Sequence, residues 1–581
     1  MPINSFWTAD DKIPIAQKKV SVPSDNGLEY SAGQKINITI PPTIQYIQPR
    51  ESYLSWDVKV QLPANASGLT EDATRIMLDE TLGSQVLIRD IFIYSGGAGN
   101  ILLEEYQNYN VLTGVKYDYE TNSTLRAKRA LTEGSLNHSI QCRGSCGTTE
   151  STKNDCVTNP YFKGINESAS SVSASFTNSD FQNVKCLLPI NTGIFSNDKV
   201  FPVLMTEGLK IEIILEQNTN VFRQLDTVLD HRMIKNCPVF HSTNGSDDAP
   251  LNASATLSPA ITQIYLTRDN NMINTPQVPF VVGERLGYST FAGVRSTFTD
   301  DPIISAIDYE SGSGKFGLVK LTLDGTGMKI LSGSMTNRAG VIYSRSVVGQ
   351  PTYVVSNVEL VLQQLTMPDG YTRKMSSMMK EGGSMNYDFL SFTNYKYSQL
   401  ASDTVANIRL PLNQSRAKAI LCIPVDASNR SIGNDISATG TYVISNEDND
   451  LLIGSDSSGL RGIASNISDY QFFYDGKLNP SRRVDCSKTS SKVSISQQQL
   501  VELEKALAQS KIIPYSFRAF QSNFVIGRAL SLQDGIYDAR GRDFNLQVEY
   551  PDAADFNHLW HNWVAHLRRI VFTGDGISLS I

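Results

Sequence analysis

The stretch LLPINTGIFSNDKVFPVLMTEGLKIEIILEQ, Leu187 to Gln217, decides how the chain is read. A Pro/Asn/Gly turn, Pro189 to Gly193, leads into a short apolar piece, Val200 to Leu204, and Gly208 breaks the chain before a strand. In that strand Leu209, Ile211, Ile213 and Leu215 fall on one face, with Lys210, Glu212 and Glu216 among the residues of the other. Period-two alternation with charge outward marks an antiparallel strand with one wet face. Nothing here has the chemistry of a catalytic nucleophile or a phosphate cradle, and most of the chain shares this shape-making character.

The pattern repeats on both sides. Ile36, Ile38 and Ile40 alternate with polar residues until Pro41-Pro42, and Leu54, Trp56, Val58, Val60 and Leu62 do so over nine residues. Val86 to Tyr94 reads as another strand, followed by a turn, SGGAGN, at Ser95 to Asn100. Later come alternating runs at Val319 to Leu323, Val358 to Leu362, Ile408 to Leu412, Ala419 to Val425, Phe544 to Tyr550 and Ile577 to Ile581. Helices are expected at Thr70 to Leu82, where Thr70 caps and Gly83 follows the end, and near Leu102 to Leu112. A third is expected at Ser494 to Ser510, where Ser496 and Gln499 form a capping box and Leu500, Leu503 and Leu507 an apolar stripe. Phe556, Leu559, Trp560, Trp563, Val564 and Leu567 also follow helical spacing.

Many short strands with few helices set as inserts between them make an all-β sandwich pattern, twice over. For 581 residues, two sandwiches of roughly 200–250 residues fit better than four units of ~150. The expected division is an N-terminal arm over 1–25 and a first sandwich over 26–240, with a Ser/Thr/Asn/Gly-rich insertion at about 121–183. A polar linker over 241–258, at the end of a stretch that turns polar between about Asp226 and Leu257, then precedes a second sandwich over 259–581.

Composition narrows the function. Hydrophobic residues are 40% and charged residues 19%, enough apolar material for cores and too little charge for disorder. A net charge of -7 argues against a coat for nucleic acid, whose phosphates call for Lys and Arg. No run approaches the ~18 apolar residues of a membrane helix. The N-terminus lacks a basic-then-apolar leader, and the seven cysteines are an odd number, so a reducing compartment and free thiols are expected.

Candidate chemistry is sparse. GSGKF, Gly312 to Phe316, lacks the earlier glycine of a phosphate loop, since Tyr309 stands there, and has Phe316 where Ser or Thr should bind magnesium. His558 and His561, with His566 and Asp555 nearby, would share a helix face and could hold a metal, but HExxH is absent and the aromatic neighbours favour packing. His138, Cys142, Cys146 and Cys156 cluster in the polar insertion: free thiols, a disulfide formed after release from the cell, and a small zinc site all stay open. Glu104-Glu105 and Asp300-Asp301 are adjacent and point different ways. The sequons at Asn37, Asn166 and Asn252 are of the kind such a composition holds by chance. No catalytic, cofactor-binding or metal residue is assigned.

Four segments resemble the double jelly-roll major capsid proteins of double-stranded DNA viruses, most closely the virophage, polinton-like virus and polinton branch, with adenovirus hexon and the large algal-virus proteins further off. They are Leu188 to Leu215; IRLPLNQSRAKAILCIPVD, Ile408 to Asp426; YQFFYDGKLNPSRRVDCS, Tyr470 to Ser487; and GIYDARGRDFNLQVEY, Gly535 to Tyr550, continuing through HLRRIVFTGDGISLSI. The insertion at Thr121 to Asn183 and the N-terminal arm have no placed counterpart. The resemblance implies an all-β chain of two tandem eight-stranded jelly-roll β-sandwiches with short helical insertions between strands, and a non-enzymatic homotrimer whose six barrels form a pseudo-hexagonal tile of an icosahedral shell. Its implied partners are neighbouring trimers, a pentameric vertex protein and minor cement proteins, with no specific nucleic acid and no cofactor. Its implied place is the virion capsid, made inside an infected host cell. The rival reading is a glycan-binding β-sandwich of a surface or adhesion protein; a jelly-roll glycosidase would need two carboxylates ~5–9.5 Å apart across a groove.

Overall fold

The computed structural model describes residues 14–61, 76–79, 82–97, 99–119, 128–129, 132–134, 184–224, 352–427, 460–462, 467–486, 497–512, 523–530, 536–551, 554, 557–574 and 576–580. Short strand segments between 239 and 345 are also described.

Two sets of strands carry the architecture. The first is β1 (Ala16–Pro23), β2 (Lys35–Ile40), β3 (Tyr46–Gln61), β4 (Ile88–Ser95), β5 (Leu102–Gln107), β6 (Val184–Pro189), β7 (Leu209–Leu215) and β8 (Thr352–Thr366). The second is β9 (Met385–Gln399), β10 (Val405–Leu410), β11 (Ala417–Asp426), β12 (Asp469–Tyr474), β13 (Lys477–Asp485), β14 (Ile526–Ala529), β15 (Phe544–Glu549) and β16 (His558–Thr573). Three helices matter here: α1 (Tyr109–Tyr119), α2 (Asp369–Lys380) and α3 (Gln497–Gln509).

The first set pairs in the orders β1-β8-β3-β6 and β2-β7-β4-β5, all antiparallel. The second pairs as β9-β16-β11-β14 and β10-β15-β12-β13, the same permutation shifted by eight. First strand beside last, second beside seventh: each set is a complete jelly roll of two four-stranded sheets. Short strands extend three of the sheet edges and loops, with Glu29–Ser31 on β8, Gly576–Ser580 on β16, and Ile76–Leu78 paired to Phe222–Gln224. Alternation does its expected work. In β7 every second residue from Leu209 to Leu215 is buried, and β2 buries Ile36, Ile38 and Ile40 beside it.

Several expectations are corrected. The first roll does not end near residue 240, because β8 lies hydrogen-bonded between β1 and β3. The polar linker expected at 241–258 therefore falls inside the connection from β7 to β8. That connection carries small sheets of its own, built from Val239–His241, Ala249–Pro250, Gln263–Thr267, Ile304–Glu310 and Leu318–Leu323, and from Arg285–Thr290, Arg295–Thr297 and Gly340–Arg345. The polar composition marks where the chain leaves the roll, and says nothing of its return. The rolls meet instead at α2. Part of the expected arm, from Ala16, is strand β1; residues 1–13 lie outside the described residues.

The helical spacing from Phe556 to Leu567 is also overturned: β16 is a strand of 16 residues. Every residue from Trp560 to His566 is buried, so period-two alternation is erased and the apolar positions fall by chance at 3.6. The helix expected near Leu102 to Leu112 straddles a boundary, strand to Gln107 and helix from Tyr109. Of the helix expected at Thr70 to Leu82, Ile76–Leu78 is strand, and Gly83–Leu87 beyond it is a single 3-10 turn. Ser496 of the expected capping box, and nearly all of 121–183, lie outside the described residues.

The revised division has a physical test. A protease site placed between Ser242 and Asp248 cuts the chain where the linker was expected. Both fragments should then elute together from a native sizing column and separate only in denaturant, because β8 holds them through β1 and β3.

Candidate functional site

The described residues gather their buried polar groups where the two rolls touch. One apolar cluster runs through both rolls, from Val22, Trp56 and Ile213 to Trp563 and Phe572. The joint is built from the turn Pro189 to Gly193, strand β5 and helix α1 on one side, and from β9 and β16 on the other.

Glu104 on β5 is its centre. It is fully buried, and its carboxylate accepts the N–H groups of Gly193 at 2.7 Å and Ile194 at 2.9 Å. Burial pushes its pKa up to about 7, opposed by those two N–H groups, by the Arg568 guanidinium from β16 and by the Ser391 hydroxyl from β9. Burial correspondingly lowers the pKa of Arg568, which the neighbouring Glu104 and Glu105 oppose, and Arg568 donates to the Leu102 carbonyl at 3.1 Å. Tyr109 and Tyr117 of α1 fix the turn itself: the Asn191 N–H donates to the Tyr109 hydroxyl at 2.9 Å and the Asn191 amide to that of Tyr117 at 3.2 Å.

Around this centre the contact is aromatic and main-chain. Tyr106 packs on Phe392 and Trp563, each 6.3 Å between ring centres, and Phe201 meets Tyr387 edge-on at 5.0 Å. Asn197 and Lys199 donate to the Asp388 carbonyl, and Asn394 donates to that of Gln107. The Asp388 carboxylate is clasped by Arg569 and Arg416, and the Arg569 hydrogen bond leads in holding its pKa down to about 2.

A second polar centre ties the rolls further along. Arg461, between β11 and β12, pairs with Asp79 at 3.0 Å and Asp118 at 2.6 Å; all three are buried. Asn523 donates to Asp118 at 2.9 Å and accepts the Gly462 N–H at 2.7 Å. Burial raises the pKa of Asp118 and Arg461 opposes it. A buried pair of this kind contributes little over apolar packing, yet losing one partner costs about 3–5 kcal/mol, so it fixes geometry more than it adds stability.

The sequence candidates fall elsewhere. His558, His561 and His566 lie buried on β16, where a spacing of three puts His561 on the face opposite His558, so the pair cannot converge on one metal. His561 Nδ1 meets the Asn394 amide, and His566 Nε2 the Thr393 hydroxyl, each at 3.0 Å. Burial, then Arg568, pushes His566 down to about 3, so it stays neutral. Among the described residues no group of three or more His, Cys, Asp or Glu is placed to hold a metal. Asp555, Gly312 to Phe316, Asp300-Asp301, Asn166, Asn252, His138, Cys142, Cys146 and Cys156 lie outside the described residues. Cys422 and Cys486 are free thiols, the first buried on β11, and Cys186 is buried on β6. Glu104 and Glu105 do diverge, one into the joint. Gly97 serves a turn, its carbonyl accepting the Asn100 N–H. Asn37 sits in β2. Among the described residues no helix is long and apolar enough to cross a membrane.

Sequence reasoning missed Glu104, Gly193, Arg461 and Arg568. The partners lie 89 to 466 residues apart, so no local period marks them. The one available signal was the Pro/Asn/Gly turn itself, read as a loop.

Two identically wound rolls in one chain, joined through buried polar groups and one apolar cluster, define a double jelly-roll protein. The chain is similar to solved viral capsid structures across its length. The PBCV-1 virus capsid matches with 9% identity over 97% of this chain and 96% of that one, TM-score 0.44. The Faustovirus major capsid protein matches with 9% identity over 96% and 90%, TM-score 0.43, and the mavirus major capsid protein with 10% over 100% and 95%, TM-score 0.34. No family model matches the chain, and no curated protein matches it.

Two measurements probe the joint. A Cβ at Gly193 would fall inside the van der Waals envelopes of the Leu390 carbonyl, the Glu104 carboxylate and the Phe389 ring, whereas one at Gly114 in α1 meets nothing closer than 3.8 Å. Gly193→Ala should therefore lose about 1–3 kcal/mol or more by chemical denaturation. Gly114→Ala should gain about 0.5–1 kcal/mol from helix propensity. The second concerns pH. The folded state holds the Glu104 proton more tightly than the unfolded chain, so this stabilisation is complete below about pH 4.5 and lost as pH rises through about 7. Between pH 5 and 8 the melting temperature of Glu104→Gln should fall less steeply than that of the wild type.

Proposed function

We propose that this chain is the major capsid protein of a double-stranded DNA virus, self-assembling into homotrimeric, pseudo-hexagonal capsomers of an icosahedral shell. The observation that carries this reading is the doubled permutation of strands: two complete jelly rolls in one chain, fixed to each other through Glu104, Gly193 and Arg461. A rigid pair of like barrels is what a near-six-fold ring of three subunits requires. The sequence resemblance in four segments supports the same reading. On it, the protein is structural rather than catalytic, resides in the virion capsid after assembly in the host cell, and meets neighbouring trimers, a pentameric vertex protein and cement proteins.

The test is the solution mass of the purified protein together with negative-stain images of the same peak. Three chains of 64.0 kDa make 3 × 64.0, about 192 kDa, in a particle of hexagonal outline. A folded monomer that stays monomeric on concentration would overturn the reading, and glycan arrays would then test the adhesion alternative.

A further inference from the structure

The first strands of the two rolls are held in different ways. In the second roll β9 buries Tyr387, Phe389, Ser391, Phe392 and Gln399. Its counterpart β1 buries Val22 alone of its eight residues. The difference follows from the joint, which packs β9 against the first roll and leaves β1 outside. What holds β1 is a main-chain ladder, from Ala16 against Thr366 to Pro23 against Glu359, with the Ile15 N–H on the Thr366 carbonyl at 2.8 Å. Side chains add little: the exposed Ser21 hydroxyl donates to Glu359 at 2.7 Å, and the Lys19 ammonium stands 5.6 Å from the centre of the Tyr53 ring. A segment with one buried apolar side chain belongs to the part of a protein that opens first.

The strand nevertheless has a firm root and a firm bed. Just past Pro23, the Asp25 N–H donates to the Asn37 carbonyl at 2.8 Å and the Asn26 amide to the Lys35 carbonyl at 2.7 Å. The buried Tyr30 donates its hydroxyl to the Gly27 carbonyl at 2.9 Å. Opening therefore stops near Ser24. Strand β8 stays in place, because its other edge is bonded to β3 and it buries Tyr353, Val355, Val358, Leu360, Leu362 and Leu365.

The cover and the edge it covers also differ in chemistry. Lys18, Lys19 and Pro23 are residue types that keep an edge strand from pairing further. The β8 run opposite Val22, Ser21 and Val20 is Leu360-Val361-Leu362, without charge or proline. Strand β1 thus closes an edge that would otherwise accept an extended segment through its main chain.

We propose that β1 is an exchangeable strand: it leaves β8 as a unit while both rolls stay folded, and the slot it vacates takes the β1 segment of a second copy of this chain. That occupant already matches the slot residue for residue. The contacts made within one copy and between two are the same, so protein concentration decides between them, the condition for strand swapping. Nothing in this exchange depends on the capsomer reading.

Two measurements on the intact protein test it. In hydrogen exchange read by mass spectrometry, peptides covering Ala16–Pro23 should exchange about a hundredfold faster or more than those covering residues 54–60 of β3. In the second, a synthetic peptide of residues 15–24 carrying a photo-activated cross-linker stands in for the second copy, and its links are mapped by mass spectrometry. Expected are links to residues 359–366 that saturate with peptide concentration. Val22→Asp in the peptide should weaken them about tenfold or more, since that side chain enters the buried position. Protection of β1 equal to that of β3 overturns the proposal. So does fast exchange without a saturable link to β8, the behaviour of a strand that frays and leaves no slot. Links to β8 that a scrambled peptide makes equally well overturn it too.

Discussion

The structure depends on how closely two backbones can approach at Gly193. Without a side chain there, the turn after β6 brings its N–H groups onto Glu104 while lying against the Leu390 carbonyl of the other roll. Glu104 solves a problem that this approach creates, because two main-chain donors that face neither sheet nor water need an acceptor. The carboxylate in turn requires the Ser391 hydroxyl and Arg568, which come from β9 and β16. Turn, strand and neighbouring sheet are thus bound into one unit, and the aromatic contacts of Tyr106 and Phe201 fill the space around it.

Rigidity of this kind differs from that of a linker. Helix α2 joins the rolls covalently, yet the polar bonds across the joint set their relation. Arg461 reaches Asp79 and Asp118 from a connection of the second roll, and Asn523 closes the same centre from before β14. With two separated polar centres and a continuous apolar cluster between the rolls, rotation about a single contact is blocked.

How much of this was legible depended on which surfaces stay wet. Strands β2, β3 and β7 could be read because one face of each meets solvent, so Ile36, Trp56 and Ile213 stand out against polar neighbours. Helix α3 could be read for the same reason, its exposed stripe set against Leu503 and Leu507. Strand β16 could not, since covering both faces removes the alternation that identifies a strand. Strand β1 escaped because it buries little beyond Val22. The centre of the joint left only the Pro/Asn/Gly turn as a trace: Glu104 looks like any acidic residue until that turn, 89 residues later, is folded against it. The fold class is a local property repeated many times, and the joint is a property of distant pairs.

The placement of β8 has a consequence for the order in which the molecule is made. Strand β1 takes its pairing from β8 alone among the described strands, and the bond from Ser21 to Glu359 spans 338 residues. A ribosome adding about 5–20 residues per second needs roughly 17–70 s to cover that distance. Until β8 is made, β3 lacks its central neighbour and β1 has no partner, while β2, β4, β5 and β7 are all present once residue 215 has been added. The nascent chain therefore carries one finished sheet and one open one. The last roll to be encoded begins to emerge only as the first is closing, so the protein's longest-lived exposed edge belongs to its earliest residues.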